Sequence, residues 1–552
     1  MTGWLIALTI LIPWTGAVAV WLAGEKRPQQ QHTLAVAFAV AAGLSALLLI
    51  PLTTDSVELE IEIGSVFGNF TFVPDGLGVF LAAVATVVGS LAVLFSVDYM
   101  HGAQQLGRYY MLVLFFIGAM AGLALSGSLL LLFFFWEITA LCSYALISFY
   151  NDDPKAVEGG IKALIITQLG GIGMLAGALV AYAYLGDTQI STFLEDYGEL
   201  PDNMLAIMAF GFLAAAAAKS AQVPFHTWLP SAMEAPSPVS ALIHAATMVN
   251  AGVYLLARFY PAFEGVDGWT TAVIIVGLLS AFLAGIMALF ADDLKRALAY
   301  STISQLGYMV YAVGVGAVFS SQLHLFSHTI FKALLFLAAG AVIHSVGTRD
   351  MHQMGGLGKK LPFIRNVFIV GALALAGIPI LNGFWSKELI LEHGLHDGPV
   401  WAYAGMLIAA GLTALYTFRM VWLVFFGERA TDAAHAETHI HPAGQYMKIS
   451  TGILAAGTLV SWLLIGLFGE MLEESLPHHH LHTDAALTML GEVVSAPATL
   501  LALGVVALGL LAWWFRAQLT VISDNVAPLR QVAVQDFGFE WLNRRIVTWI
   551  QT

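Results

Sequence analysis

Apolar residues form stretches of about 20 residues that recur along the whole chain, separated by polar segments. A stretch of this length crosses the hydrocarbon core of a bilayer as an α-helix. The pattern predicts an all-α polytopic membrane protein with about 15 transmembrane helices. The predicted spans are 4–23, 33–52, 77–96, 109–126, 128–149, 161–185, 205–229, 239–260, 271–290, 297–317, 323–345, 363–394, 401–427, 448–469 and 495–515.

Two of these spans are interrupted by helix-breaking residues, and each contains a lysine beside the break. The seventh reads AAAAAKSAQVPFHTWLPSAMEAPSPVS with Lys219, and the twelfth reads VGALALAGIPILNGFWSKELIL with Lys387. Interrupted helices at matching positions indicate an internal repeat. We therefore predict helices 1–3 in residues 1–108, two inverted five-helix repeats in 109–260 and 271–427, and two helices with an amphipathic tail in 428–552.

Basic residues are distributed unevenly among the loops. Lysine and arginine collect in loops after odd-numbered spans, except the seventh, whereas several loops after even-numbered spans are acidic. The positive-inside rule then places the N-terminus outside and the C-terminus in the cytoplasm of a cell inner membrane. We interpret residues 4–23 as the first span rather than a signal peptide, because no basic segment precedes them.

Composition supports a membrane protein and excludes some chemistry. Hydrophobic residues make up 59% of the chain and charged residues 11%, and the mean hydropathy is +0.81, unlike a soluble domain. The single cysteine, Cys142, excludes an intrachain disulfide and a cysteine-ligated cluster. The net charge of −14 reflects acidic loops and indicates no particular partner.

Three basic side chains lie four residues apart inside one apolar segment: His324, His328 and Lys332. This spacing places them on one helix face, about 6 Å apart along the axis. An ionisable residue at the membrane centre costs about 2.5 kcal/mol or more, and such residues often mark a path for charge. The row therefore predicts a proton relay; the alternative is a set of hydrogen-bonded packing residues.

Other ionisable residues lie in or beside predicted spans. Glu137 follows LLLLFFFW, and Lys219 is its natural partner, either as a proton site or as a static buried ion pair. His244 is a further relay candidate or a packing histidine. Lys387 with Glu388 forms either a terminal proton site or a salt-bridged cap of the restarted helix.

Histidine clusters also occur in two loops and are more typical of solvated segments than of a metal site. They comprise His435, His439 and His441 in one loop, and His478, His479, His480 and His482 in the other. The chain has no phosphate loop, nucleotide fingerprint or haem signature. We expect proton chemistry with no catalysis, cofactor or metal of its own.

Several long segments resemble the antiporter-like, proton-conducting subunits of respiratory complex I, in the NuoL and MrpA branch. They are FWEITALCSYALISFY, KSAQVPFHTWLPSAMEAPSPVSALIHAATMVNAGVYLLAR, DDLKRALAYSTISQLGYM, HLFSHTIFKALLFLAAGAVIH and GFWSKELIL. The resemblance implies 14 conserved helices with two inverted repeats. It also implies three sites: a first half-channel pair of Glu137 and Lys219, a hydrated axis of His244, His324, His328 and Lys332, and a terminal site of Lys387 and Glu388.

Two departures from that pattern bear on the partner. NuoL-like chains carry an Arg and an Asp in the sixth span, where this chain has Gln168 and Gly171. The C-terminal segment VQDFGFEWLNRRIVTWIQT, shorter than the NuoL or MrpA extensions, resembles DabB subunits of inorganic carbon accumulation.

The DabB resemblance implies a large DabA-like partner of carbonic-anhydrase type that holds zinc, and proton-driven CO2 or bicarbonate uptake. The alternatives are partner subunits of an NADH-quinone oxidoreductase or hydrogenase complex, or of an Mrp-type Na⁺/H⁺ antiporter. A structural subunit whose charges only hold helices together is a third class. We expect membrane lipid and protons as ligands, and no nucleic acid.

Overall fold

The computed structural model describes residues 2–53, 58–62, 69–428, 441–473, 475–476, 491, 493–516 and 527–551. The chain divides into two compact units. The first unit comprises Met1–Ser220, Glu234–Val273 and Leu467–Thr483, and the second comprises Ala221–Met233, Ile274–Gly466 and Asp484–Thr552.

Helices dominate the described residues, and the predicted all-α fold is confirmed. The helices are α1 (Thr2–Ala23), α2 (Pro28–Leu49), α3 (Gly76–Tyr99), α4 (Leu106–Ala124), α5 (Leu129–Ile147), α6 (Pro154–Leu185), α7 (Ile190–Asp196), α8 (Asp202–Lys219), α9 (Trp228–Ser231), α10 (Ser237–Ala241), α11 (Met248–Phe263), α12 (Trp269–Phe290), α13 (Leu294–Gly314), α14 (Val318–Val346), α15 (Pro362–Ala376), α16 (Asn382–His396), α17 (Val400–Val421), α18 (Gln445–Val460), α19 (Ile465–Glu473), α20 (Pro497–Trp514), α21 (Ala527–Val534) and α22 (Phe539–Gln551). Two short strands, β1 (Leu59–Glu62) and β2 (Asn69–Phe72), pair antiparallel.

Short polar side chains fix where several helices begin. Asp75 accepts a hydrogen bond from the Gly78 amide at 2.7 Å, and Asp293 accepts one from the Arg296 amide at 3.0 Å. Each satisfies a backbone donor that has no partner inside its helix. Gly186, with φ of 81°, ends α6 in the left-handed conformation that glycine adopts most readily.

Within the described residues, 13 helical segments are long and apolar enough to cross a membrane. Two predicted spans do not meet that criterion as single helices. The span predicted at 363–394 is broken into α15 and α16, and α13 is less apolar than the others. Almost every residue of α13 is buried, including Ser301 and Gln305, so its polar side chains face protein rather than lipid.

In the first unit, small residues let two long helices approach backbone to backbone. A Cβ atom added to Gly173 of α6 would lie 2.4 Å from the Gly211 carbonyl oxygen of α8. Interfaces of this kind associate membrane helices by close packing rather than by hydrophobic burial. Elsewhere in the unit, the buried Arg258 of α11 pairs with the N-capping Asp75 of α3.

In the second unit, α14 is buried along most of its length and packs against α13, α15 and α16. Tyr308 of α13 donates a hydrogen bond to the Met406 carbonyl of α17 at 2.9 Å. Asn382, the first residue of α16, donates to the Ser327 carbonyl of α14 at 3.3 Å and to Ser461 at 3.0 Å. These contacts fix α16 and its charged residues against α14.

Both predicted helix breaks are observed. Helix α8 ends at Lys219, and regular helix resumes only at Trp228. Ala221 has a φ of 50°, and Ile380, in the gap between α15 and α16, has a φ of 79°. A β-branched residue in the left-handed region is an outlier that the surrounding structure must impose. The symmetry between the two halves stays a prediction.

The C-terminal segment packs on its own unit. The hydroxyl group of Tyr300 donates a hydrogen bond to the buried carboxylate of Asp536. The side-chain amide of Asn543, also buried, donates to the Pro224 carbonyl at 3.1 Å and to the Thr227 hydroxyl at 2.9 Å.

Candidate functional site

Lys219 occupies a fully buried position at the last turn of α8. Its ammonium group donates a hydrogen bond to the Trp136 carbonyl oxygen of α5 at 2.7 Å and lies 4.8 Å from the centroid of the Trp136 ring. The carboxyl end of a helix and the face of an indole ring both stabilise a cation. This position can therefore hold a protonated lysine without a directly bonded carboxylate.

Glu137 is the nearest acid to consider, and it follows Trp136 on α5. It interacts electrostatically with Lys219 and lies beside the Gln168 side chain of α6. The described ion pairs include no direct contact between Glu137 and Lys219, so the static ion pair considered from the sequence does not form here. The carboxylate can tune Lys219 through space, and one of its oxygens, Oε1, has no hydrogen-bond partner among the described residues.

Gly171 is one of the two positions in the sixth span at which this chain differs from NuoL-like chains. A Cβ atom at this position would lie 2.6 Å from the Oε1 atom of Glu137. The glycine therefore leaves space that the Glu137 carboxylate uses. The acid and base that NuoL-like chains have in this span are replaced here by an amide at Gln168 and an open position at Gly171.

His244 is fully buried in a π-helical turn, Leu242–Ala246. The Thr247 hydroxyl donates to the Leu242 carbonyl at 2.6 Å, and the Asn250 amide donates to the Ala245 carbonyl at 2.8 Å. These side chains satisfy carbonyls that the wider turn leaves without the usual helical partner. Single π-turns inside α-helices occur frequently at functional sites.

The row on α14 lies fully inside the second unit. The ring nitrogens of His324 contact Ser386 of α16 at 2.9 Å and Gln305 of α13 at 3.1 Å. The centroid of the His328 ring lies 6.3 Å from that of His324, and neither ring nitrogen of His328 has a hydrogen-bond partner among the described residues. A buried imidazole without such a partner is costly, and groups of this kind call for a functional or solvent-mediated explanation.

Lys332 continues this row one helical turn further along α14. It is fully buried, and its ammonium group donates a hydrogen bond to the hydroxyl group of Ser301 on α13. A hydroxyl group both donates and accepts, so it can hold either protonation state of a neighbouring amine. The described ion pairs give Lys332 no carboxylate partner.

Lys387 and Glu388 are both buried near the start of α16. The ammonium group of Lys387 lies 5.3 Å from the centroid of the Tyr308 ring and has no hydrogen-bond partner among the described residues. The described ion pairs do not join Lys387 to Glu388, so the salt-bridged cap considered from the sequence is not formed. The face of the Tyr308 ring stabilises a cation at this buried position.

The predicted residues are divided between the two units. The first unit contains the interacting pair Glu137 and Lys219 and also His244, and the second contains His324, His328, Lys332, Lys387 and Glu388. Sequence reasoning missed the neutral polar partners Ser301, Gln305, Tyr308 and Ser386. The signal available was the polar run STISQ inside a predicted span.

The loop histidines contribute little to this picture. His435, His439, His478, His479, His480 and His482 lie outside the described residues. His441 is described and exposed. The described part of the chain contains no group of three or more His, Cys, Asp or Glu side chains arranged to hold a metal ion.

Comparison with known families agrees with the resemblance seen in the sequence. Residues 126–413 match the family model described as NADH:quinone oxidoreductase/Mrp antiporter, transmembrane region. Residues 61–110 match the model for the N-terminus of chain 5 of NADH-ubiquinone oxidoreductase, complex I. The first model covers more than half of the chain.

Individual proteins of this family are similar to the chain in sequence. NADH-quinone oxidoreductase subunit L of Escherichia coli K12 is 34% identical over 98% of this chain and 89% of its own length. Na⁺/H⁺ antiporter subunit A1 of Staphylococcus haemolyticus is 38% identical over 74% of this chain, but only 54% of that protein is covered.

A solved structure of an Mrp complex from a Dietzia species contains a chain that is 28% identical and superposes with a TM-score of 0.86. The superposition covers 98% of this chain and 59% of that one. The chain belongs to the family of antiporter-like membrane subunits found in NADH:quinone oxidoreductases and Mrp antiporters.

Proposed function

We propose that this chain conducts protons as one subunit of a larger membrane complex. The observation that carries the proposal is the row of His324, His328 and Lys332, fully buried on one face of α14. Isolated ionisable groups in such surroundings are expensive, and polar residues placed there usually serve transport. Membership of the antiporter-like family supports the same conclusion.

The two lysines beside the helix breaks supply the remaining proton-binding groups. Both lysines are buried beside an interrupted helix, and ionisable residues in such positions within a membrane protein commonly serve as proton-binding groups. In the first unit, Glu137 adjusts the proton affinity of Lys219 without a direct contact. In the second, His324 and His328 carry protons between lysines, with Ser301 and Gln305 orienting the row. Protons pass between these groups through intervening water molecules.

A structural subunit is the competing function. Buried charges that only hold helices together should form close ion pairs, because an unpaired buried charge weakens the structure. Lys219, Lys332 and Lys387 are each at most 1% exposed, and the described contacts give none of them a directly bonded carboxylate. The lack of directly bonded carboxylates favours a role of these lysines in proton exchange over a purely structural role.

Replacement of Lys332 by alanine tests the proposal. We expect Lys332→Ala to reduce proton transport at least tenfold in vesicles containing the assembled complex, because a difference of about 1.4 kcal/mol in a proton-transfer barrier already has that effect. Lys448→Ala, at an exposed position of α18, serves as a matched control and should transport normally. Normal transport by an assembled Lys332→Ala complex would rule out the relay.

For the partner, we propose a DabA-like subunit of inorganic carbon uptake, so that proton flow drives CO2 or bicarbonate accumulation. The support is the resemblance of the C-terminal segment to DabB subunits. Zinc would then be held by the partner. The relatives named above favour the alternatives, an NADH-quinone oxidoreductase or hydrogenase complex or an Mrp antiporter.

Purification through a tag on this chain in a mild detergent separates these partners. Mass spectrometry and metal analysis should find one large zinc-containing subunit. Iron–sulfur or flavin subunits would instead identify a respiratory or hydrogenase complex, and other antiporter subunits an Mrp complex. Either result would overturn the carbon-uptake proposal but leave proton conduction to be judged by Lys332→Ala.

We also propose that the N-terminus faces outside and the C-terminus the cytoplasm, in a cell inner membrane. The support is the distribution of basic residues among the loops. Cys142, the only cysteine, is buried, so cysteines introduced into loops can be labelled selectively. A membrane-impermeant thiol reagent should label Gly265→Cys in intact cells and Gly102→Cys only after lysis. The reverse pattern would invert the topology.

A further inference from the structure

An apolar groove runs along the surface of the second unit where α15, α17 and α20 meet. Its volume is about 660 Å³. Leu373 of α15, Phe418 of α17 and Leu510 of α20 form part of its walls, and Trp422, Trp513 and Arg516 lie at one end. A volume of this size is typical of sites that hold small organic ligands.

The end of the groove is built around Arg516. The guanidinium carbon lies 4.6 Å from the centroid of the Trp422 ring and 4.7 Å from that of Trp513. One nitrogen, Nη1, donates a hydrogen bond to the Trp513 carbonyl at 3.2 Å. Among the described hydrogen bonds this is the only one that Arg516 makes, so further N–H groups of its planar fork remain to bind an anion.

The groove is apolar along its walls and carries a cation at one end. A membrane leaflet shows the same contrast between its hydrocarbon core and its headgroup layer. The apolar walls of the groove belong to two helices that meet the criteria for membrane spans and to the apolar helix α15. Tryptophan and arginine occur together where the hydrocarbon meets the headgroups, and the positive-inside rule assigns the Arg516 end to the cytoplasmic leaflet. Arginine in this position attracts anionic headgroups and can bind a phosphate through two parallel hydrogen bonds.

We propose that this groove binds one anionic glycerophospholipid from the cytoplasmic leaflet. An acyl chain lies along Leu373, Phe418 and Leu510, and the phosphate group binds the Arg516 guanidinium. Trp422 and Trp513 hold the guanidinium in place and flank the glycerol region. The lipid joins α20, whose outer face carries exposed leucines, to α15 and α17. This proposal is independent of proton conduction, but it rests on the proposed orientation of the chain in the membrane.

Lipid retention tests the site on the full chain within its complex. The complex is purified in mild detergent, supplied with phosphatidylglycerol or phosphatidylcholine in nanodiscs, and examined by native mass spectrometry after re-extraction. We expect one tightly retained phosphatidylglycerol. Arg516→Gln should lower the preference for phosphatidylglycerol over phosphatidylcholine about fivefold, the effect of one basic residue at a membrane surface.

Two further variants make the outcome decisive. Leu510→Trp, at a partly exposed position, fills the groove and should abolish retention of both lipids while leaving Arg516 in place. Arg108→Gln removes an arginine of the first unit that lies 5.9 Å from the Phe149 ring and does not line the groove, and this variant should retain the lipid normally.

Unchanged preference in Arg516→Gln, or unchanged retention in Leu510→Trp, would overturn the proposal. A further arm adds inorganic phosphate in excess. If phosphate displaces the lipid as readily as added phosphatidylglycerol does, the site binds a free anion and the lipid assignment is wrong. If only phosphatidylglycerol displaces it, the acyl chain is part of recognition, as proposed.

Discussion

At the residue scale, the position of the Glu137 carboxylate depends on the lack of a side chain at Gly171. Gly171 lies where an added Cβ atom would approach Oε1 of Glu137 to 2.6 Å. If a side chain is added at Gly171, the Glu137 carboxylate can move aside because it is the far end of a flexible side chain. The helices α5 and α6 need not move. A substitution here should therefore change the site and leave the fold intact.

We expect Gly171→Ala to assemble normally and to slow proton transport several-fold. Alanine favours a helix interior over glycine by about 1 kcal/mol, which offsets the cost of displacing Glu137. Proton uptake by vesicles containing the complex is the measurement. Gly504→Ala is the control, because nothing lies within 4 Å of the Cβ atom added there. Equal loss in both variants, or no loss in Gly171→Ala, would contradict the role assigned to this space.

Asp292 lies between α12 and α13, outside the membrane spans, and its carboxylate joins several segments of the second unit. Its carboxylate accepts hydrogen bonds from Arg419 of α17 at 2.5 Å and from His352 at 3.0 Å, and Arg530 of α21 approaches it to 3.5 Å. Burial acts to raise the pKa of Asp292, but the hydrogen bond from His352 and the charge of Arg419 outweigh it. The pKa of this carboxyl group is therefore below its ordinary value.

We expect Asp292→Asn to lower the free energy of unfolding by about 1 kcal/mol at pH 7, since the carboxylate is partly exposed and its ion pairs are screened. A carboxyl group with a lowered pKa contributes stability above its unfolded pKa and loses it as the pH falls through the folded one. The difference between the two proteins should therefore be full at pH 7 and shrink below about pH 4.

Thermal unfolding of the detergent-solubilised protein at pH 7 and below about pH 4 measures the stability lost in Asp292→Asn. Asp397→Asn is a suitable control, because Asp397 is 54% exposed and contacts only His393 among the described ion pairs. A loss in Asp292→Asn that persisted unchanged at low pH would show that the ion pairs are not its cause.

At the element scale, the C-terminal helix α22 is fastened to the segment that follows the α8 break. Asn543 reaches the Pro224 carbonyl and the Thr227 hydroxyl, and the Phe539 ring lies 5.2 Å from the His226 ring. The tail therefore stabilises an irregular stretch that has few backbone hydrogen bonds of its own.

We expect Asn543→Ala to loosen α22 by about 1–2 kcal/mol, because two hydrogen bonds are lost, one of them to the buried Thr227 hydroxyl. Trypsin should then cleave after Arg544 and Arg545 roughly ten times faster, as local opening becomes more frequent. Leu542→Ala, at a position 41% exposed, is the control and should be cleaved at the normal rate. Equal rates in all three proteins would exclude the fastening role.

Most elements could be predicted from the sequence, because an apolar run of about 20 residues defines a span almost by itself. Charged residues inside spans could be found for the same reason, since each is costly there. The π-turn at His244 could not, because LIHAA has no local signal for it. The docking of the tail depends on Asn543 and Asp536 meeting partners more than 200 residues away, which no local pattern reveals.

At the scale of the whole molecule, each unit contains its own buried cluster and its own broken helix or helix end. The relatives named above are subunits of larger assemblies. Under the proposed function, this chain supplies the proton-binding groups, and other subunits of the complex couple them to the driving reaction or ion gradient.

We expect the chain reconstituted alone in liposomes to show no coupled proton transport, and the same chain within its complex to show it. A pH-sensitive dye trapped in the liposomes measures the flux after a pH step. The complex carrying Lys332→Ala provides the background level. Flux through the isolated chain as fast as through the complex would show that it needs no partner.

The close approach of α6 and α8 at Gly173 and Gly211 has a consequence for timing. Backbones that touch cannot slide past one another without a slow collective shift, which takes microseconds to milliseconds, whereas side chains change rotamer in nanoseconds or less. Gln168 and Lys219 are carried by these two interlocked helices. Proton exchange around Lys219 is therefore expected to proceed on a fixed frame, by side-chain and water movements rather than by sliding of α6 against α8.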